Sequence, residues 1–296
     1  MPHDRNALER EAQAVLAALD GRVLTVKDRL AIPPQDMPAQ DAAERIRNMD
    51  EVAQGYTAAQ ARLEAMRCLQ CRNAPCVQGC PVAIDIPAFL RKAAEGDFAS
   101  SLAVIKKSSL LPAVCGRVCP QESQCQAACT VGKSLKAVEK AVSIGRVERY
   151  VADLERESGA RSTPVVAAST GRRVAVVGTG PAAVSCAADL RKAGHEVTMF
   201  EAFHRPGGVL IYGIPEFRLP KAIVDGELAG LKAMGVRIET NFLVGRTRKL
   251  IDFIEKDGFD AVFIGSGAGL PTFMNIPGEN LVGVFSANED LTRPNL

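Results

Sequence analysis

The chain has 296 residues, enough for one large domain or for two to three smaller ones. Its 36 Lys and Arg residues nearly balance its 34 Asp and Glu residues, which excludes the strong electrostatic field that collects nucleic acid or coats an anionic membrane. No apolar run approaches the roughly 20 residues of a membrane-spanning helix, and the charged N-terminus lacks the apolar core of a secretory signal. We therefore expect a soluble, cytoplasmic protein.

Residues 1–60 are expected to form a helical arm that leads into two groups of cysteines within residues 61–158. The first group has the spacing C-x2-C-x4-C-x3-C-P, and the second lies in CGRVCPQESQCQAAC. The members are Cys68, Cys71, Cys76 and Cys80, then Cys115, Cys119, Cys125 and Cys129. Cytosolic thiols stay reduced, and clustered ones hold metal or do redox work. Compact loops that end in Cys-Pro favour iron–sulfur ligation, so we predict two 4Fe-4S clusters; zinc and reduced structural thiols are the alternatives.

Short helices are predicted around the cysteine loops. Asp85 can cap a helix over residues 86–95, and Asp97 can cap a second helix that runs through Lys107. Residues 136–157 have the pattern of a further amphipathic helix. On such a helix, the ordinary position of Glu148 is a solvated face.

A dinucleotide-binding fingerprint follows a small-residue linker over residues 159–170. A strand at Val174–Val177 leads into a GxGxxA turn and a helix to Lys192, and a second strand at Glu196–Phe200 ends at Glu201. Glycines let the backbone approach a pyrophosphate at the helix N-terminus, and the acidic residue can accept both ribose hydroxyls. The turn residues expected to bind the cofactor are Gly178, Gly180, Pro181, Ala182 and Ala183.

Two further features favour FAD over a nicotinamide. Gly207 and Gly208 follow soon after the acidic residue, which is typical of FAD-binding halves of flavoprotein reductases. Residues 260–268 read as another buried strand that enters a glycine turn at Gly267. We interpret Cys186, inside the first helix of this region, as a small buried apolar residue.

The predicted fold class is an α-helical two-cluster iron–sulfur domain followed by an incomplete α/β FAD-binding domain. The second domain, residues 171–296, is expected to be Rossmann-like with a parallel sheet.

The paired cysteine loops, the FAD fingerprint and the stretch GGVLIYGIPEFRLPK occur in one order. In this the chain resembles the small subunit family of NADPH-dependent glutamate synthase. It is also similar to the large subunit of bifurcating ferredoxin:NADP oxidoreductase and to the N-terminal part of dihydropyrimidine dehydrogenase. The likeness covers about residues 33–296.

The resemblance implies that the cluster ligands cross between the two loops. One cluster would take Cys68, Cys71, Cys76 and Cys129. The other would take Cys80, Cys119 and Cys125, with Glu148 from the segment IGRVERY as its fourth ligand. Cys115 would then be uncoordinated. The simpler alternative, in which each loop holds its own cluster, stays open.

The resemblance also implies roles around the flavin. Arg218 would lie between flavin and cluster and act as the catalytic residue, and Leu210, Ile211 and Val244 would lie near the FAD. Surface charge is the alternative for Arg218.

The family has a second Rossmann unit for NADPH, and residues 1–296 contain no segment that resembles it. The resemblance therefore implies an electron-input subunit that passes electrons between NADPH, FAD and two 4Fe-4S clusters to a larger catalytic subunit, with the NADPH site outside this chain. We expect that the chain as given does not oxidise NADPH alone. The partner would be the glutamate synthase large subunit. A ferredoxin-linked or bifurcating NAD(P)H oxidoreductase subunit and a truncated, non-catalytic electron-wiring subunit are the alternatives.

Overall fold

The computed structural model describes residues 4–159 and 163–295. These residues form two compact units whose boundary falls within residues 160–162. The first unit is helical and the second is a parallel α/β unit. The predicted fold class, a helical region followed by a Rossmann-like sheet, is confirmed. The predicted division of the helical region near residue 60 stays a prediction.

The first unit is built from short helices joined by tight loops. Its α-helices are α1 Arg5–Leu19, α2 Val26–Ala31, α3 Ala42–Arg45, α4 Ala58–Met66, α5 Pro75–Gln78, α6 Ile86–Ala94, α7 Phe98–Lys106, α8 Pro112–Val118, α9 Cys125–Ala128, α10 Thr130–Ser134 and α11 Ile144–Ser158. Single 3-10 turns lie at Gln121–Ser123 and Val138–Lys140.

The caps predicted for α6 and α7 are present. The carboxylate of Asp85 accepts a hydrogen bond from the backbone N–H of Ala88, and that of Asp97 accepts one from Ser100, each at 3.1 Å. Such a bond satisfies one of the donors that a helix leaves unpaired at its start. Local sequence therefore determines where these two helices begin.

The single helix predicted over residues 136–157 is wrong in its first third. Lys136 has a left-handed backbone with φ 56°, the 3-10 turn follows, and α11 begins only at Ile144. α11 then packs against α4, α6, α7 and α8. Because it is surrounded in this way, it buries Glu148 and Arg149 as well as its apolar stripe. The solvated face considered for Glu148 is therefore wrong.

The N-terminal helices pack onto the body of the first unit. Ala12 of α1 and Ile32 form one buried cluster with Ala59 and Leu63 of α4. The half-buried side chains of the same cluster are Val15, Leu16, Leu19, Leu24 and Met66. The arm thus shares a core with α4, the helix that leads into the first cysteine loop.

The second unit is a four-stranded parallel sheet in the order β3-β2-β1-β4. Its strands are β1 Arg173–Val177, β2 Glu196–Phe200, β3 Arg237–Glu239 and β4 Ala261–Ile264, and its helices are α12 Pro181–Lys192, α13 Val209–Tyr212, α14 Lys221–Ala233, α15 Leu250–Glu255 and α16 Ala287–Thr292. β1 and β2 are buried, as their runs of apolar residues predict. Cys186, predicted to be buried, is half-buried on α12.

A cluster of aromatic side chains packs against β1 and β2, and the edge strand β4 is largely exposed. Phe200, Phe253 and Phe259 form a buried cluster with Ala175. Among the strands described, β4 lies at an edge of the sheet. Exposed apolar side chains follow this strand: Leu270, Phe273, Met274, Ile276, Leu281 and Val282.

Within the two described ranges, none of the helices combines the length and the apolar character needed to cross a membrane.

We expect Gly116→Ala to destabilise the first unit. A Cβ at this position of α8 would lie 2.6 Å from the backbone N of Arg149 in α11, so the two helices would have to separate. Overpacking of this kind costs about 1–3 kcal/mol. Chemical denaturation measures the loss.

Gly230→Ala is the control for that substitution. Gly230 also lies inside a helix, but a Cβ there meets no atom within 4 Å. Alanine should therefore stabilise its helix by about 0.5–1 kcal/mol. Equal effects at the two positions would contradict the close approach of α8 and α11.

Candidate functional site

Four cysteines from both loops line one cavity of the first unit. Cys68, Cys71 and Cys76 come from the first loop, and Cys129 comes from the second. The cavity therefore groups the thiols across the loops and not within one loop. The rest of its wall is mainly apolar, with Ile86, Leu90, Val142 and Ile144 among its members.

Burial keeps two of these thiols, Cys68 and Cys76, protonated in the protein alone. Desolvation, with smaller contributions from neighbouring thiols that include Cys129, raises the pKa of Cys68 to about 11 and that of Cys76 to about 12. A thiolate binds metal and a thiol does not. Several soft donors that face one apolar cavity fit an iron–sulfur cluster, which would draw off their protons on binding.

The first cysteine loop has a strained backbone. Gln70, Ala74 and Ala83 adopt left-handed conformations with φ between 34° and 52°. Non-glycine residues avoid this region because Cβ approaches the carbonyl oxygen. Three such residues lie within or just after the run from Cys68 to Cys80. Strain of this kind is common where a loop must present its side chains to a ligand.

A second group forms around Glu148. Cys80, Cys119 and this carboxylate act electrostatically on Cys125, and burial together with the carboxylate raises the pKa of Cys125 to about 12. Glu148 is buried, and its Oε1 has no hydrogen-bond partner within the described structure. Burial raises the pKa of Glu148 to about 8, with a smaller contribution from Cys119. An unpartnered buried carboxylate oxygen near the thiols of Cys119 and Cys125 fits a ligand for a metal cluster.

The remaining cysteine of the second loop, Cys115, also lies near this group. Cys115 hydrogen-bonds to Cys119, which raises the pKa of Cys115 and lowers that of Cys119 to about 7. Cys115 lies 4.0 Å from the hydroxyl of Ser109. It therefore lies next to the second group, and the expectation that it is uncoordinated stays a prediction.

The two cysteine loops meet at a glycine. A Cβ on Gly79 would lie 2.8 Å from the carbonyl oxygen of Gln124 and 3.1 Å from the side chain of Ala128. Gly79 directly precedes Cys80, and Gln124 directly precedes Cys125. This contact explains how thiols of different loops are brought into one group.

Across the described residues, no three His, Cys, Asp or Glu side chains stand ready to hold a single metal ion. The assignment of the two cysteine groups therefore depends on the shared cavity, the buried carboxylate and the chemistry of the donors.

In the second unit, the predicted fingerprint residues lie at the carboxyl edge of the sheet. Gly178 follows β1, Glu201 follows β2 and Gly265 follows β4. A Cβ on Gly178 would lie 2.4 Å from the carbonyl oxygen of Gly265, so these loops touch. The carboxyl edge of a parallel sheet is where dinucleotides bind.

A hydroxyl that the sequence did not single out joins the fingerprint together. Thr179 is fully buried, donates a hydrogen bond to Glu201 and accepts one from the backbone N–H of Gly207 at 2.8 Å. The other oxygen of Glu201 accepts a bond from the N–H of Phe203 at 3.0 Å. The acidic residue and the paired glycines are therefore held in one arrangement. The signal available in the sequence was a hydroxyl between the two glycines of the turn.

The second glycine of the turn leaves open space. A Cβ on Gly180 would meet nothing within 4 Å, and its φ of −67° suits any residue. Neither packing nor backbone strain accounts for glycine here, whereas close approach of a pyrophosphate to the start of α12 would. Gly208 packs against this glycine, since its Cβ would lie 2.8 Å from the Cα of Gly180. The cradle fits a dinucleotide.

The remaining predicted residues of this unit are spread over its surface and core. Pro181 and Ala182 are exposed at the start of α12, Ala183 is buried, and Gly267 and Arg218 are exposed in loops. Leu210 and Ile211 are buried on α13, and Val244 packs against the aromatic cluster. No contact brings Arg218 to the fingerprint residues in the described structure, and its role stays a prediction.

From the sequence alone, Lys221 could be an ordinary surface charge, and that interpretation is wrong. It is buried, and its ammonium donates to the carbonyl oxygens of Leu210 and Ile214. Its own backbone N–H donates to Glu216 at 2.9 Å. These bonds fix the stretch GGVLIYGIPEFRLPK, and desolvation lowers the pKa of the amine.

Two family models match the chain. One, described as dihydropyrimidine dehydrogenase domain II, 4Fe-4S cluster, matches residues 45–160. The other, described as pyridine nucleotide-disulphide oxidoreductase, matches residues 172–294.

Curated relatives match across both units. The NAD-dependent dihydropyrimidine dehydrogenase subunit PreT of Escherichia coli strain K12 is 38% identical over 76% of this chain and 54% of its own length. The glutamate synthase (NADPH) small chain of Halomonas elongata is 34% identical over 86% of this chain and 52% of its own length. That of Escherichia coli strain K12 is 35% identical over 80% and 49%. The chain spans about half the length of the curated relatives it matches.

We expect Thr179→Val to destabilise the second unit and Thr179→Ser to leave it intact. Valine has a similar shape, but it removes the hydroxyl that donates to Oε2 of the buried Glu201 and the acceptor of the Gly207 N–H. Such a loss costs about 1–3 kcal/mol. Denaturant unfolding of both variants measures it. Indistinguishable stabilities would show that the hydroxyl does not hold the fingerprint.

We expect Glu148 to make the stability of the iron-free protein fall as pH rises. Its folded pKa of about 8 lies above the ordinary carboxyl value of 4.5, so the folded state holds the proton more tightly. The stability contributed by this group is full below pH 4.5 and is lost as pH rises through 8.

Glu148→Gln, which does not titrate, tests this expectation. After removal of metal by a chelator, the variant should unfold at a higher temperature than the wild type at about pH 9, and the difference should shrink at about pH 5. Parallel pH profiles for the two proteins would contradict a buried carboxylate at this position.

Proposed function

We propose that this chain is an electron-input subunit. It belongs to the family of flavin and iron–sulfur NAD(P)H oxidoreductase subunits that includes glutamate synthase small chain and PreT. It would pass electrons between NADPH, FAD and two 4Fe-4S clusters and a larger partner subunit. The NADPH site is proposed to lie outside residues 1–296.

The observation that carries the proposal is the grouping of donors across the two cysteine loops. Cys68, Cys71, Cys76 and Cys129 share one cavity and would hold the first cluster. Cys80, Cys119, Cys125 and Glu148 would hold the second. A carboxylate in place of a fourth thiolate changes the ligand field and the hydrogen-bonding of that cluster, which are among the properties that set its potential.

When bound, FAD and iron–sulfur clusters together supply the exchange between two-electron and one-electron chemistry. The residues of the chain bind and orient these groups. Gly178 lets the loop after β1 touch Gly265, and Gly180 leaves room for the pyrophosphate at the start of α12. Thr179 holds Glu201 at the ribose side. Arg218, exposed on its loop, is proposed to act at the flavin.

Glutamate synthase is the proposed assembly, with its large subunit as the partner. The support is the identity of 34–35% with glutamate synthase small chains, which extends over 80% or more of this chain.

A pyrimidine-reducing assembly is the second candidate, because PreT is 38% identical. A ferredoxin-linked or bifurcating oxidoreductase and a non-catalytic wiring subunit are the further alternatives. Purification of the native protein with its partner distinguishes them: a large subunit that hydrolyses glutamine supports glutamate synthase, and one that reduces pyrimidines supports the second candidate.

Single Cys→Ser substitutions test the function and the crossed ligand sets. The full chain, reconstituted with iron and sulfide, should bind about eight iron atoms and give two electron paramagnetic resonance signals on reduction. Cys129→Ser should alter the same signal as Cys71→Ser, because these residues share a cavity. Cys80→Ser should alter the other signal.

The reverse pairing, with Cys80→Ser altering the signal that Cys71→Ser alters, would contradict crossed ligation and support one cluster per loop. Cys115→Ser is the matched control, and it should leave the iron content and the first signal unchanged, because Cys115 lies outside both proposed ligand sets. Stoichiometric zinc with no iron in the protein from its own source would overturn the redox function.

A further inference from the structure

An ion pair at the end of α4 is completely buried. Nη1 of Arg67 lies 2.5 Å from Oε1 of Glu64, and both side chains have no exposed surface. Taking two charges out of water is costly unless nearly every donor and acceptor finds a partner. The other partners of this pair therefore indicate what the pair does.

Each of the three guanidinium nitrogens of Arg67 donates to a backbone carbonyl. Its Nε donates to Ile32 at 3.1 Å, Nη1 donates to Ala141 at 3.0 Å, and Nη2 donates to Lys140 at 2.6 Å. The planar guanidinium suits such a fixed fork of bonds. It thereby joins α4 to residues 140–141.

The carboxylate of Glu64 grips the same segments from the other side. Oε1 accepts a hydrogen bond from the backbone N–H of Ser143, and Oε2 accepts one from Gln35, each at 2.8 Å. Both charged groups of the pair thus bind residues 32–35 and residues 140–143. We name these two side chains the Glu64–Arg67 clasp.

Each end of the clasp leads to one of the two cysteine groups. Arg67 directly precedes Cys68, and the segment that the clasp grips supplies Val142 and Ile144 to the wall of the first cavity. Ser143 is the residue before α11, which carries Glu148 to the second group. One buried contact is therefore connected to both groups through short stretches of backbone.

We propose, on the basis of the proposed function, that the Glu64–Arg67 clasp is a positioning element that sets the geometry of both cluster sites together. Its residues touch neither ligand set directly through their side chains. They hold the backbone on either side of the first cavity, and they fix the start of the helix that presents Glu148. A change confined to the clasp should therefore be read out at both sites.

Arg67→Lys is the principal test. Lysine keeps the charge next to Glu64 but has no planar fork with which to reach Ile32, Ala141 and Lys140 at once. The full chain is reconstituted with iron and sulfide and reduced, and both resonance signals are recorded with the iron content. Cys71→Ser and Glu148→Ala identify which signal belongs to which site. We expect Arg67→Lys to change the shape of both signals and to lower bound iron twofold or more.

Glu155→Gln is the matched control. It removes another ion pair of the same unit, between Lys106 on α7 and Glu155 on α11, at a similar distance of 2.6 Å. Its position is two turns beyond Glu148 on the same helix. We expect both signals and the iron content to stay as in the wild type.

Ser143→Pro provides a second route if Arg67→Lys fails to fold. Proline removes the backbone N–H that donates to Glu64, and the φ of −75° at Ser143 suits proline. Ser143→Ala keeps that N–H and serves as its control. We expect Ser143→Pro to change both signals and Ser143→Ala to leave both unchanged.

The outcomes separate the clasp from the proposed function. A wild-type chain that takes up no iron would overturn both. If the wild type gives two normal signals, and Arg67→Lys or Ser143→Pro changes neither of them or only one, the proposed role of the clasp is overturned. The proposed function then still stands. Equal effects of Glu155→Gln would also overturn the role of the clasp, since any lost ion pair would then act alike.

Discussion

Burial of ionisable side chains is the constraint on which the helical unit depends. Desolvation raises the pKa of Cys68, Cys76, Cys125 and Glu148, so the protein around each group disfavours its charged form. A unit that needed only a stable core would fill such positions with apolar side chains, as it does at Val142 beside the first cavity. Helices this short are not stable alone in water. They hold one another in place around buried thiols and the carboxylate of Glu148, whose charged forms the protein alone does not stabilise.

The sequence predicts the elements whose signals are local. Asp85 and Asp97 cap their helices as expected, because a cap needs only its own first turn. The strand, turn and helix around Gly178 are also predicted, since β-branched runs and glycine turns carry their geometry within a few residues. The crossed grouping of thiols has no such signal. Cysteine spacing cannot show that two loops touch at Gly79, and only the family resemblance indicated the crossing.

Buried polar contacts are what sequence reasoning misses. Residues 136–157 read as one helix because charge and apolar periodicity continue through the 3-10 turn. Glu64, Arg67 and Thr179 look like ordinary surface or turn residues, since nothing in a sequence separates a solvated charge from one that is paired in the interior. Each joins segments far apart in the chain. Their importance follows from tertiary contacts that are absent from any local pattern.

The contact of the two loops also determines when the first cavity can exist during folding. Its wall requires the loop of Cys68, the thiol of Cys129 and the segment at Val142 and Ile144 to come together. Contacts between residues so distant in sequence form late, because the entropy of closing a long loop must be overcome first. A nascent chain that has passed Cys76 but not Cys129 therefore exposes reactive thiols without a site to enclose them. The wall of this site can be completed only after the chain has been synthesised as far as Ile144.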